Sequence, residues 1–195
     1  MADGAGNATL RDMDRRGALA LLGTVAVGLA DGRAFGAVAR SLTLSELVKK
    51  SRSAVLVTGL AKRASWQTIG GSRRIVTETR ARVDELVSGA APSSSEVLLR
   101  TLGGRVGNIG QLVEGEAEVA LGEGCMAFLT ELEPLIYSVT AMAQGHYPIV
   151  SDARGKLLRA SRQLPVLLQR PDSAVTTLAG RSLAEGLALV RAERR

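Results

Sequence analysis

The 195-residue chain has one cysteine, Cys125, and one histidine, His146. A disulfide needs two thiols, and a structural zinc site needs about four Cys or His ligands, so the sequence excludes both. Aromatic residues make up only 3% of the chain, so any core must be mostly aliphatic. No apolar run reaches the roughly 18 residues that a membrane helix needs. The chain is 23% charged and 46% hydrophobic, near the globular average, which argues against disorder throughout. Its length suits one ordinary domain with some extra segments.

Basic charge is in excess. The net charge is +6 and the pI is near 10. In residues 1–39, Arg11, Arg15, Arg16 and Arg33 cancel Asp3, Asp12, Asp14 and Asp31, so the rest of the chain keeps the whole excess. Such a balance favours anionic partners. The basic residues are spread along the chain, which also fits a solvated surface with no specific partner.

Residues 1–39 read as a signal peptide. Arg15-Arg16 precede the apolar run 18–30 (ALALLGTVAVGLA), which is short for a bilayer span but fits the hydrophobic region of an export signal. A polar break at Asp31-Gly32-Arg33 follows, and Ala37-Val38-Ala39 then gives small residues at the two positions that a signal peptidase reads. Cleavage is expected before Arg40, with Leu29-Ala30 as a second possible site. The paired arginines resemble a twin-arginine signal, but they follow Asp14 and precede Gly17-Ala18; a general secretory signal starting near Met13 fits as well. The chain is therefore expected in the periplasm or outside the cell.

Residues 40–163 are expected to form a β-barrel domain, and residues 164–195 a linker and C-terminal helix. Thr43-Leu44-Ser45-Glu46 forms a capping box ahead of a short helix over 44–50. Residues 53–60 (SAVLVTGL) favour a strand; residues 62–67 are more polar, and Gly70-Gly71 marks a turn. In residues 74–87, Ile75, Thr77, Thr79, Ala81 and Val83 alternate with Glu78, Arg80, Arg82 and Asp84. This predicts a long, half-buried antiparallel strand, and its length favours a coiled sheet or barrel. A loop over 88–95 leads to a strand over 96–102. Gly103, Gly104, Gly107 and Gly110 fit no phosphate-loop spacing and are expected at turns or bulges. Residues 113–121 alternate Glu114, Glu116 and Glu118 with small or apolar residues, as a strand would. Strands are also expected over 125–129 and 135–142, and a hairpin from 146–150 and 156–160. Pro165 and Pro171 mark a connection. A second capping box, Ser182 to Glu185, opens a last helix whose Leu183, Leu187 and Val190 should dock on the barrel.

No residues assemble a convincing reaction centre. His146 lies near Ser151 and Asp152 in sequence, but a hairpin would not aim the three together, so a polar strand end is expected. Cys125 lies in the apolar run CMAFL and reads as a buried small hydrophobe. Glu114, Glu116 and Glu118 on one strand face could hold a hard cation, although a solvated sheet face is the simpler reading. The best binding surface is Trp66 with Arg63, Arg73 and Arg74, an aromatic among cations. A rim or plug role for Trp66 competes with it.

The order of cues also resembles a group of small exported bacterial proteins of uncharacterised function. The matching features are Val57-Thr58-Gly59, Trp66, IVTETRARVDELVSG over 75–89, TLGGRVG over 101–107, the Glu114-Gly115-Glu116 and Gly122-Glu123-Gly124 turns, Phe128-Leu129, Tyr137-Ser138-Val139, and Ala143-Gln144-Gly145-His146-Tyr147. The resemblance spans residues 53–150 and implies an exported β-barrel. The long strand ending in Val87-Ser88-Gly89 is similar to the OB-like barrels of metalloproteinase tissue inhibitors and netrin modules. Those inhibitors bind metal through an N-terminal cysteine. No cysteine lies near Arg40, so neither their action nor their site residues carry over.

Together these features predict a mainly β protein: an antiparallel OB-like β-barrel with a short N-terminal helix and a C-terminal helix. It is expected to be an exported, non-enzymatic interaction or structural module with a protein or envelope component as partner. No catalytic residue, metal, cofactor or stable transmembrane span is expected. A basic OB-fold binding nucleic acid is the alternative, though nucleic acid is not favoured outside the cytoplasm. An envelope enzyme comes third.

Overall fold

A computed structural model describes residues 40–153, 155–164 and 171–194. The expected signal segment, with Arg15-Arg16 and the Ala37–Ala39 motif, lies outside the described residues, as does Pro165. The fold is mainly β with three helices.

Helix α1 (Leu44–Lys50) begins at the expected capping box: Thr43 Oγ1 accepts from the Glu46 amide, and the Glu46 carboxylate accepts from the Thr43 amide. Strands β1 (Ser53–Ile69) and β2 (Ser72–Gly89) form a long antiparallel hairpin. Gly70 and Gly71 close it with φ of 57° and 78°, the left-handed pair that a tight two-residue turn requires. The polar residues 62–67 thus continue β1 instead of ending it, because the ladder with β2 satisfies their backbone. Strand β3 (Glu96–Leu102) pairs with β2, and β4 (Gly104–Val106) and β5 (Ile109–Gln111) form a small separate hairpin. Strands β6 (Gly124–Glu133) and β7 (Ile136–Val139) follow, then β8 (His146–Asp152) and β9 (Gly155–Leu158).

Five strands close a ring in the order β1-β2-β3-β7-β6, with β6 returning to pair with β1. The sheet is mixed, which corrects the expectation of a purely antiparallel one: Leu98 and Leu99 of β3 pair in parallel with Ile136 and Tyr137 of β7. The reason is arithmetic. A closed ring with an odd number of strands cannot alternate direction at every step.

Both faces of β6 are buried, which explains its unbroken apolar run. Cys125, Ala127 and Leu129 point into the ring with Val55, Val57, Ala81, Val97, Leu99 and Tyr137. Met126 and Phe128 point out, against α1, Tyr147, Leu158 and the C-terminal helices. Those helices are α2 (Ala174–Leu178), which the sequence did not predict, and α3 (Leu183–Ala192). Leu187 and Val190 of α3 are buried in that outer cluster, and a capping box between Ser182 and Glu185 starts the helix. The alternation read from β2 holds: Ile75, Thr79 and Ala81 are buried, and Arg80 and Arg82 are exposed.

Residues 113–121 do not form a strand, which corrects the reading of that segment. Gly115 has φ +80° and breaks the alternation. The chain beyond it is extended and plugs the ring, burying Ala117 and Val119. It passes so close to β1 that a Cβ on Gly59 would run into the Ala120 carbonyl oxygen. The strand expected over 135–142 ends at Val139, where Ala141 and Met142 turn the chain with φ of 55° and 57°.

Candidate functional site

The far half of the β1–β2 hairpin carries the candidate surface. Leu60 is an extra residue between the pairs Gly59↔Ala81 and Ala61↔Arg80, so β1 bulges there. Beyond the bulge, residues 61–69 pair regularly with residues 72–80. Side chains alternate across a strand, so cross-strand partners share a face. Lys62 with Thr79, Ala64 with Thr77, Trp66 with Ile75 and Thr68 with Arg73 form one face. Arg63 with Glu78 and Gln67 with Arg74 form the other.

The four residues singled out by sequence therefore divide into two pairs. Trp66 and Arg73 come together, with the guanidinium 4.8 Å from the indole centroid, a cation–π contact. Arg63 and Arg74 lie on the opposite face of the same hairpin. Glu78 lies across from Arg63, but Arg100 holds its carboxylate with hydrogen bonds of 2.9 and 3.1 Å.

Sequence reasoning missed two cations of this region, Lys62 and Arg105. Both line a cleft of about 680 Å³ between the hairpin, the end of β3, the β4–β5 hairpin and residues 112–119. Gly104 crosses the hairpin face here, where a Cβ would run into Thr77 Oγ1. Residues 60–77 and 103–111 together hold Lys62, Arg63, Arg73, Arg74 and Arg105, and no Asp or Glu. None of these five cations forms an ion pair among the described residues. Elsewhere six arginines are matched: Arg40 with Glu46, Arg52 with Glu131, Arg80 with Glu96, Arg82 with Asp84, Arg100 with Glu78 and Glu133, and Arg191 with Glu85; Arg159, Arg162, Arg181 and Arg194 form no ion pair among the described residues, nor do Lys49, Lys50 and Lys156. The signal was legible in the chain as a stretch without carboxylates.

The three glutamates do not act as one set: Glu116 and Glu118 line the same cleft as Lys62 and Arg105, and Glu114 does not. Glu114 is exposed. Glu116 turns to the unpaired edge of β3, where its carboxylate accepts from the Leu102 and Ala117 amides, both at 3.0 Å. Burial raises its pKa, and these two amides oppose the rise. Glu118 accepts from the Gln163 amide at 3.4 Å. Among the described residues no cluster of His, Cys, Asp or Glu could hold a metal ion.

His146 is 1% exposed. Its Nδ1 is 3.3 Å from Ser161 Oγ, and Nε2 has no partner among the described residues. Burial pushes its pKa down to about 4; Glu118 pulls it up and Lys62 pushes it down by smaller amounts. Asp152 lies at the far end of β8, and Ser151 is exposed. Cys125 is buried, and desolvation, with Asp84 adding to it, pushes its thiol up to about 12. At neutral pH it is an un-ionised thiol.

No protein-family model matches the chain, and no curated protein matches it either. Among the described residues no helix is long and apolar enough to cross a membrane; strands are a separate matter.

Proposed function

We propose that the five-strand ring is an OB-like barrel of the exported group that the sequence resembles, and that the protein is a non-enzymatic interaction module acting in the periplasm or outside the cell. Its binding surface is the far half of the β1–β2 hairpin, and its partner is an anionic protein or envelope component. The observation that carries this reading is a set of five cations without ion pairs on the two neighbouring hairpins, Arg73 stacked on Trp66 and Arg63 and Arg74 on the opposite face, with no carboxylate in the same two stretches of chain. Charge of one sign over a surface attracts molecules of the opposite sign and raises their local concentration.

The strand order supports the barrel, since β1 pairs with both β2 and β6 and the one parallel contact joins β3 to β7. The un-ionised Cys125 and the walled-off His146 favour binding over catalysis. Binding of nucleic acid is the second reading. It is favoured by Trp66 beside Arg73, since bases stack on aromatics while cations follow phosphates.

Retention on a sulfonate resin tests the surface. Reversing Arg63, Arg73 and Arg74 to Glu should lower the eluting salt concentration more than reversing Lys49, Lys50 and Lys156, which changes net charge equally. Equal shifts would mean that the hairpin is no special anion site. Recovery of the chain from the cytoplasm with Met1 intact would favour nucleic acid.

A further inference from the structure

We propose that the outer edge of β1 beyond the bulge receives an extended acidic peptide as an added strand. This rests on the reading of the hairpin as the binding surface, and it names the partner and the mode of contact. Strand β6 pairs with β1 only as far as Thr58↔Gly124, and the plug touches β1 once more at Gly59↔Leu121. From there to Ile69, β1 pairs only with β2 among the described residues.

The direction of the unpaired backbone groups follows from two hydrogen bonds on β2. The Ile75 amide donates to Gln111 Oε1 at 2.8 Å, and the Ile75 carbonyl accepts from the Gly103 amide at 2.8 Å. Ile75 therefore turns both groups away from β1. Its partner Trp66 must turn its own N–H and C=O away from β2, to the free edge. Alternation gives the same orientation to Lys62, Ala64 and Thr68. The edge thus offers four donors and four acceptors in the spacing of a β-ladder.

That pattern selects the partner. A peptide backbone supplies both acceptors and donors, whereas a phosphodiester backbone accepts but has no donor for the four carbonyls. Open edges template strand addition, and native proteins guard them with charge, proline or bulges. Here the guards are all of one sign. Lys62 and Arg63 repel a second copy of the same edge and any basic strand, while they attract an acidic one.

Trp66 is the only tryptophan, so its fluorescence reports binding at this edge directly. The probes are an acetylated ten-residue peptide alternating Thr and Glu, the same peptide N-methylated at every residue, a Thr/Lys counterpart, and a ten-residue oligothymidylate. The Thr/Glu peptide should give a saturable change. N-methylation of the peptide, or Ala64→Pro in the protein, should weaken it at least tenfold, and the Thr/Lys peptide should give none. Ala64→Pro removes an edge-facing N–H without touching the β2 ladder; if that variant does not fold by circular dichroism, the N-methylated peptide decides on the wild type. Equal affinity for the methylated peptide, or tighter binding of oligothymidylate, would overturn strand addition but leave the hairpin as an anion site. No response to any anion would overturn both.

Discussion

Protonating His146 should cost the protein about 3 kcal/mol of stability. The imidazole is 1% exposed, with Nδ1 against Ser161 Oγ at 3.3 Å and no partner for Nε2 among the described residues. A proton on the ring would create a buried cation with an unmet donor. Burial accordingly pushes the pKa from 6.5 down to about 4. The unfolded chain takes up its proton near the ordinary value, so the folded state is favoured in full above pH 6.5. That advantage is lost as the pH falls from 6.5 to about 4. Each pKa unit corresponds to roughly 1.4 kcal/mol, which gives about 3 kcal/mol over this window. Urea melts between pH 7.5 and 4, on the wild type and on His146→Gln, would measure it. Subtracting the two curves removes the carboxylate contributions common to both. The wild type should lose about 3 kcal/mol more than the variant. Parallel curves would refute the reasoning, because they would mean that His146 protonates freely in the folded state.

Ala81 is buried inside the ring, so Ala81→Asp should destabilise by about 3–5 kcal/mol, the cost of an unpaired buried charge. Arg82→Asp, next to it, should cost no more than about 1 kcal/mol, because the pair it replaces by a repulsion with Asp84 is solvent-exposed and screened; urea midpoints compare the two. Cys125→Ser should cost about 1–3 kcal/mol by placing a hydroxyl in the apolar interior, and native Cys125 should resist an exposed-thiol reagent. Export with cleavage after Ala39 predicts that N-terminal sequencing of protein recovered from cells begins at Arg40. Changing Arg15 and Arg16 to Lys should block export only if the twin-arginine route is used.

Local signals were legible because their causes are local. Both capping boxes, the Gly70-Gly71 turn and the alternation of β2 depend on residues within a few positions of each other. The parallel β3–β7 pair was not legible, since it follows from closing a ring of five strands that are distant in sequence. The strand through residues 61–69 was hidden because its polar residues owe their conformation to the partner β2, not to their own pattern. In the candidate site, Trp66 and its arginines stood out by type. Their division between two faces follows from strand alternation once residues 61–69 are known to be a strand paired with residues 72–80 through the Gly70-Gly71 turn. Lys62 and Arg105 were missed because each is unremarkable alone; only the fold brings them to one cleft, which Glu116 and Glu118 also line.

Site-specific photo-crosslinking in the native cell tests the central claim most directly. A photoreactive residue replaces Thr68, on the hairpin, or Lys156, on the exposed β8–β9 hairpin. The account predicts a discrete protein adduct from position 68 and none from position 156, and loss of that adduct when Arg63, Arg73 and Arg74 are changed to Glu. Equal adducts from both positions, or an adduct that survives the charge reversal, would contradict it.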